Sequence, residues 1–268
     1  MSTLIYDKKD AIATVTFNRP QSRNALTPEM LCRFAEALLD FKHDDQLRVM
    51  ILTGAGDQAF CAGGDLGSTL PLMTGARPAM DQWDKRLLED PFVLAASSLR
   101  EFELHKPIIA AINGACFAAG FEMMLGTDIR IAAHHATFAL PEVKRALIPF
   151  AGSIVRLPRQ IAYCQAMELL LTGDSVTAEK AVSMGLVNYA VPAAEVMAKA
   201  LEIAQRIAMN GPLAVQRVKQ TAIQASGLPL SAGYLLEDES KQLVLASDDA
   251  KEGPRAFMEK RSPLYSGQ

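Results

Sequence analysis

Apolar residues run in strand-like blocks through the first half of the chain and at helical spacing through much of the rest. Residues 11–17 (Ala-Ile-Ala-Thr-Val-Thr-Phe) are β-rich with partial alternation and stop at Asn18-Arg19-Pro20, which predicts a strand entering a turn. Thr27-Pro28-Glu29 then supplies an N-cap, a proline at the first helical position and an early acid. Met30, Leu31, Phe34, Leu38 and Phe41 follow at the spacing of one helix face. Residues 48–53 form a short apolar strand closed by Gly54-Ala55-Gly56, and residues 108–112, 129–133 and 137–139 predict further strands. The succession of strand, small-residue loop and helix recurs without the fixed period of a solenoid. It implies an α/β architecture whose loops gather at one edge.

From about residue 157 the pattern becomes mainly helical. A helix opens at Thr177-Ala178-Glu179-Lys180 and stops near Gly185, and an Ala-rich helix over 193–209 ends at Asn210-Gly211-Pro212. Residues 212–226 and 235–245 continue the series. No flexible linker or low-complexity tract interrupts the chain, so a core over 1–200 and a helical region over 201–268 form one functional unit with a soft boundary.

Two stretches are built almost wholly of small residues: Ala59-Phe60-Cys61-Ala62-Gly63-Gly64-Asp65-Leu66 and Asn113-Gly114-Ala115-Cys116-Phe117-Ala118-Ala119-Gly120. Such loops let main-chain N–H groups approach a ligand closely, because nothing larger than a methyl group stands in the way. The second leads into a helix, whose first N–H groups lack intrahelical partners. One donor from each stretch would make an oxyanion hole, suited to the charge that develops on a thioester carbonyl as an enolate forms. Taken singly, each is equally well a structural turn after a strand.

Each stretch is followed by an acid among apolar neighbours. Glu122 lies in Gly120-Phe-Glu-Met-Met-Leu125, and Glu142 lies in Phe138-Ala-Leu-Pro-Glu-Val143. Burying an unpaired carboxylate is costly, so such acids serve chemistry, a helix N-terminus or an ion pair. Two poorly solvated carboxylates beside one oxyanion hole can divide acid and base roles when their pKa values are pushed apart.

Composition removes several alternatives. Half of the 268 residues are apolar and 21% are charged, an ordinary globular balance with room for a large core. The formal net charge of −3 gives no global field toward nucleic acid or an anionic membrane. Neither a secretory signal nor an apolar run of membrane-spanning length is expected. The four cysteines lack metal-ligand spacing and read as reduced thiols of a cytoplasmic protein.

Over nearly its whole length the sequence resembles the crotonase, or enoyl-CoA hydratase/isomerase, family. The resemblance is carried by Asn18-Arg-Pro-Gln-Ser-Arg-Asn-Ala-Leu26, Phe60-Cys-Ala-Gly-Gly-Asp-Leu66, Lys106-Pro-Ile-Ile-Ala-Ala-Ile-Asn-Gly114 and Glu252-Gly-Pro-Arg-Ala-Phe-Met-Glu-Lys-Arg261. It implies a spiral of ββα units with a helical C-terminal trimerisation region, forming trimers or dimers of trimers. It also implies oxyanion donors at the N–H groups of Gly64 and Ala119, and addition of water to a trans-2-enoyl-CoA. Glu122 would deprotonate the water attacking Cβ and Glu142 would exchange the proton at Cα. No metal or redox cofactor is implied, coenzyme A being part of the substrate. For that moiety the family pattern points to Gln21, Ser22, Arg23 and Ala25, to the loop of Gly64, Asp65, Leu66 and Gly67, and to Phe257 and Lys260. The last two would often act from a neighbouring subunit. Read without the resemblance, Asp65 braces its own loop, Phe257 is core and Lys260 is solvated.

Three departures bear on the substrate. The loop usually reading Ile-Pro-Gly-Ala-Gly-Gly is here Ile148-Pro-Phe-Ala-Gly-Ser153; Phe150 keeps the N–H that in the family helps hold the water, but its ring adds bulk that narrows or redirects the acyl pocket. Lys144 and Arg145 follow Glu142 as a solvated face; turned inward, they would lower its pKa or attract a carboxylated acyl group. The stretch from Leu66 to Leu104 exceeds compact members by roughly a dozen residues. Its Met73, Met80, Trp83 and Phe92 suit an amphipathic lid or packing against a neighbour. Asp128 with Arg130 suggests a strand-entry pair, and His134 and His135 suggest surface residues. The rivals are a Δ3-Δ2 enoyl-CoA isomerase, a specialised dehydratase such as one acting on carnitinyl-CoA, a serine peptidase with Ser153 as a poor nucleophile, and a non-catalytic acyl-CoA binder.

Overall fold

A computed structural model describes residues 2–268. The chain opens with an antiparallel hairpin of β1 (Leu4–Lys9) and β2 (Ile12–Phe17), followed by α1 (Pro28–His43). A first unit runs through β3 (Val49–Gly54) and β4 (Ala59–Cys61) into three short helices, α2 (Thr69–Met73), α3 (Gln82–Glu89) and α4 (Pro91–Ser97). A second comprises β5 (Ile108–Ile112), β6 (Ala115–Phe117) and α5 (Ala119–Met124). The third has β7 (Ile129–Ala133), β8 (Thr137–Ala139), a 3-10 helix at Pro141–Arg145, and then α6 (Ser153–Gln160) and α7 (Tyr163–Thr172). The remaining elements are β9 (Val176–Thr177), α8 (Ala178–Ser183), β10 (Tyr189–Val191), α9 (Val196–Ala208), α10 (Pro212–Ala225), α11 (Leu230–Ala246) and α12 (Asp249–Met258).

In each unit the first strand joins a large sheet, ordered β1-β2-β3-β5-β7-β10, and the second joins a small sheet, ordered β4-β6-β8-β9. This is the expected spiral of ββα turns. Every position of β3 and β5 is buried, as parallel strands covered on both faces require. Helix α9 packs across β3, β5 and β7, while α1 packs on the first hairpin and on α3 and α4. Thr27 caps α1 by accepting from Met30 N at 3.3 Å. The Phe17 ring meets Phe34 of α1 and Phe60 of β4 edge-on, with centroids 5.5 and 5.7 Å away, so the two sheets and α1 share one core.

Three features depart from the sequence pattern. Strand β1 carries Asp7, Lys8 and Lys9, charges that mask its periodicity and suit an edge strand paired on one side only. Helix α12 contains Gly253 and Pro254, residues that mark a turn in a sequence. Helix α9 runs through residue 200 on the large sheet, so the helices that leave the sheet begin with α10. Among the described residues no helix is long and apolar enough to cross a membrane.

Candidate active site

The two small-residue stretches are each half strand, half turn. Strands β4 and β6 lie side by side in parallel, with Cys61 beside Cys116, and the turns continue beyond their C-terminal ends. There the backbones touch. A Cβ on Gly63 (φ 98°) would fall 2.6 Å from Ala118 Cβ and 3.4 Å from Ala119 N, and one on Gly120 would meet Cys61 O at 2.5 Å. Small residues are therefore required by the crossing itself. Leu26 N donates to Gly63 O at 2.8 Å and Leu26 O accepts from Asp65 N at 2.9 Å. In such a parallel bridge the N–H of the intervening Gly64 points away from Leu26. Ala119 is the first residue of α5, so its N–H has no carbonyl one turn back. It follows Ala118, whose φ of 51° and ψ of −128° are strained for an L residue and fix the direction of that peptide.

A cavity of about 230 Å³ opens at this crossing, and Gly64, Ala119, Glu122 and Glu142 all line it. Glu122 is 2% exposed on α5. Its Oε1 accepts three hydrogen bonds, from Ala151 N at 2.8 Å, Ser153 N at 3.2 Å and Ser153 Oγ at 2.9 Å, and Oε2 accepts none among the described residues. Burial pushes its pKa up, against the Ser153 and Ala151 donors and the charge of Arg156, which favour the carboxylate. Glu142, in the 3-10 helix, has the opposite surroundings. Its Oε2 is buried with no hydrogen-bond partner among the described residues. Burial raises its pKa to about 7, opposed by its own backbone N–H and Arg145 and aided by the nearby Glu122 charge. At Glu122 three donors oppose the rise that burial causes; at Glu142 an oxygen is left without one, and the carboxyl group favours the proton.

Much of the rest of the wall is apolar, built from residues such as Leu26, Leu70, Met73, Leu94, Phe117 and Phe150. The chain matches the family model for enoyl-CoA hydratase/isomerase over residues 7–268. It belongs to the enoyl-CoA hydratase/isomerase family. The enoyl-CoA hydratase EchA19 of Mycobacterium tuberculosis is 40% identical over 264 residues, 98% of this chain and 96% of that protein. A carnitinyl-CoA dehydratase of Salmonella typhi is 36% identical over 261 residues, 96% of this chain and 95% of that one. The crystal structure of an enoyl-CoA hydratase from Bacillus anthracis superposes with a TM-score of 0.88 at 35% identity, covering 100% of both chains.

Of the residues that the family pattern assigns to the coenzyme, Gly64 and Leu66 line the cavity and the others do not. Gln21 and Ser22 sit in a 3-10 helix, Arg23 follows in the left-handed region, and Ala25 precedes the buried Leu26. This segment is zipped to the Gly64 turn by Ala62 N to Arg23 O at 3.1 Å and by the two Leu26 bonds. Asp65 is consumed within its own turn: Oδ1 accepts from Gly67 N, Ser68 N and Ser68 Oγ, and Oδ2 pairs with Arg19 at 2.9 Å. Leu66 lines the cavity while 63% exposed; Gly67 does not line it. Phe257 is 81% exposed on α12, so it is not a core residue, and neither it nor Lys260 lines the cavity of its own chain.

The departures also resolve. Phe150 is half exposed on the cavity wall, and its carbonyl accepts from Arg100 at 3.1 Å. Lys144 turns outward to Asp174 at 2.5 Å, whereas Arg145 lines the cavity. Even so, burial outweighs Arg145, and Glu142 moves up rather than down. In the long stretch, α2 and α4 wall the cavity, while Trp83 and Phe92 pack on the core and Met80 is exposed. Asp128 and Arg130 bond elsewhere. Asp128 pairs with Lys219 at 2.8 Å, and Arg130 donates to Leu186 O and Gln160. His134 and His135 are exposed. The thiols of Cys61 and Cys116 are buried and raised in pKa, Cys61 to about 12, which leaves them unreactive. Ser153, a weak nucleophile candidate by sequence, is instead a buried donor to Glu122. Nothing local in the sequence signals that contact, since the two residues are 31 positions apart.

Proposed function

We propose that the chain is a 2-enoyl-CoA hydratase, converting a trans-2-enoyl-CoA and water into a 3-hydroxyacyl-CoA. The acyl group would occupy the cavity with its thioester oxygen between the N–H groups of Gly64 and Ala119. Water held by Glu122 adds to Cβ, losing a proton to Oε2. The π electrons pass to Cα and the carbonyl, the two N–H donors stabilise the enolate oxygen, and Glu142 delivers a proton to Cα. Solvent then returns a proton to Glu142 and removes one from Glu122. These steps use groups of this chain, the substrate and water, and call on no metal or redox cofactor.

The observation that carries this reading is the unlike pair: two carboxyl groups on one cavity, one held by three donors and one left with a buried orphan oxygen. A dehydratase running the same chemistry in reverse on a polar acyl group is the second reading, favoured by similarity to the carnitinyl-CoA enzyme. Arg145 on the cavity wall disfavours a cationic acyl group and suits a neutral or anionic one. Loss of enoyl absorbance should be followed over a series of enoyl-CoA chain lengths, with carnitinyl-CoA assayed in the opposite direction. Turnover of the enoyl series supports the hydratase; turnover of carnitinyl-CoA alone replaces it with the second reading.

The reading extends to assembly as a trimer or dimer of trimers. Helices α10 and α11 bury no residue, and Val218, Leu230, Tyr234, Leu235 and Leu245 are between 59% and 75% exposed. An apolar surface of this extent is costly in water unless a partner covers it. In that assembly Phe257 and Lys260 would reach the coenzyme of a neighbour.

A further inference from the structure

Ser153 occupies a position where the family loop carries glycine, and its side chain is fully buried at the start of α6. Its hydroxyl lies 2.9 Å from Glu122 Oε1, beside the N–H of the same residue at 3.2 Å and that of Ala151 at 2.8 Å. A glycine would supply the N–H and leave the hydroxyl's place empty. The three donors crowd one oxygen and, among the described residues, leave the other without a donor, on a side chain that lines the cavity. We infer that Ser153 is a positioning residue that pins Glu122 through Oε1 and holds it as the base, so that Oε2 alone meets the attacking water; this rests on the hydratase reading above.

The charged and titratable groups around Glu122 agree on who must supply the restraint. Arg156, on α6 itself, is tied to the carbonyls of Ser98 and Leu99, and it favours the anion without bonding to it. Arg100, from the stretch after α4, faces Arg156 and the Phe150 carbonyl. Glu142, backed by Arg145, opposes the anion from the 3-10 helix. Beneath α5, Cys61 and Cys116 are neutral thiols. Among the described residues no other side chain hydrogen-bonds Glu122, so the hydroxyl of Ser153 is the side-chain restraint added to the N–H groups of Ala151 and Ser153.

Ser153→Ala removes one oxygen atom and leaves both N–H donors in place, and Ser153→Thr restores a hydroxyl. A hydrogen bond to a carboxylate is worth enough to move its pKa by about one pH unit. In Ser153→Ala the acidic limb of kcat/KM should therefore shift upward by about one pH unit, with kcat down about tenfold and KM changed less than about twofold. Ser153→Thr should stay near the wild type. An unmoved acidic limb and kcat in a folded Ser153→Ala protein, checked by its melting temperature, would overturn the inference. If the wild type hydrates no enoyl-CoA, the hydratase reading falls by itself. The carboxyl carbon-13 titration of Glu122, assigned with Glu122→Gln, then decides: a raised midpoint in Ser153→Ala supports the restraint and an unchanged midpoint overturns it.

Discussion

At the scale of single residues, the site holds two acids that burial pushes up alike, the rise being opposed by three donors at Glu122 and by the residue's own backbone N–H at Glu142. Glu142 should be the protonated partner until its pKa near 7 is passed. Activity that needs its proton should fall as pH rises through that value. Activity that needs ionised Glu122 should fall as pH drops through its own raised pKa. The profile of kcat/KM should be a bell whose limbs belong to the coupled pair, and a flat profile from pH 5 to 9 would contradict the division of roles. Gly63 makes a second residue-scale demand. In Gly63→Ala the new methyl would overlap Ala118, at a φ of 98°, and displace the crossing that sets both N–H donors. We expect kcat to fall about 10²- to 10³-fold with acyl-CoA affinity largely kept, as for loss of an oxyanion donor. Both acids were legible in the sequence because a carboxylate among apolar neighbours needs a reason. The donors that separate their roles were not, since Ala151 and Ser153 reach Glu122 only through the folded loop.

At the scale of elements, the sequence showed those that repeat one pattern and concealed those that break it. The continuous apolar runs of β3 and β5 and the capped, one-faced α1 can be read directly. The stretch between β4 and β5 cannot, because its three helices are short and their apolar residues serve two surfaces. Met73 and Leu94 face the cavity while Trp83 and Phe92 face the core. Asp81 and Asp90 cap α3 and α4, and Asp84 is held by Arg77 at 2.5 Å and 2.8 Å, so the stretch is a built wall. It should therefore set acyl length. In Met73→Trp the added ring would fill part of a cavity of about 230 Å³. We expect KM for long enoyl-CoAs to rise about tenfold or more while crotonyl-CoA changes little, the scale at which a pocket discriminates by volume. Equal effects at every chain length would place the acyl group elsewhere.

At the scale of the whole molecule, the spiral gives each turn one strand in the core sheet and one in the small sheet, and the small sheet delivers its ends to a single point. Gly64 follows β4, Ala119 follows β6, and Glu142 follows β8. That convergence is why residues spread over some 80 positions line one cavity, and a strand-by-strand reading of the sequence cannot supply it. The exposed faces of α10 and α11 complete the account outward. A charge at Leu235, 71% exposed, should dissociate the proposed assembly in light scattering while leaving the monomer folded; an unchanged mass would remove that face from the proposed interface. The central claim, however, is the chemistry. Its most direct test is the hydration rate of a trans-2-enoyl-CoA by the wild type, Glu122→Gln and Glu142→Gln proteins at saturating substrate. The account requires turnover by the wild type and a fall in kcat of about 10²- to 10⁴-fold in each variant, with acyl-CoA affinity kept. A wild type without turnover, or either variant within a few-fold of it, would contradict the account.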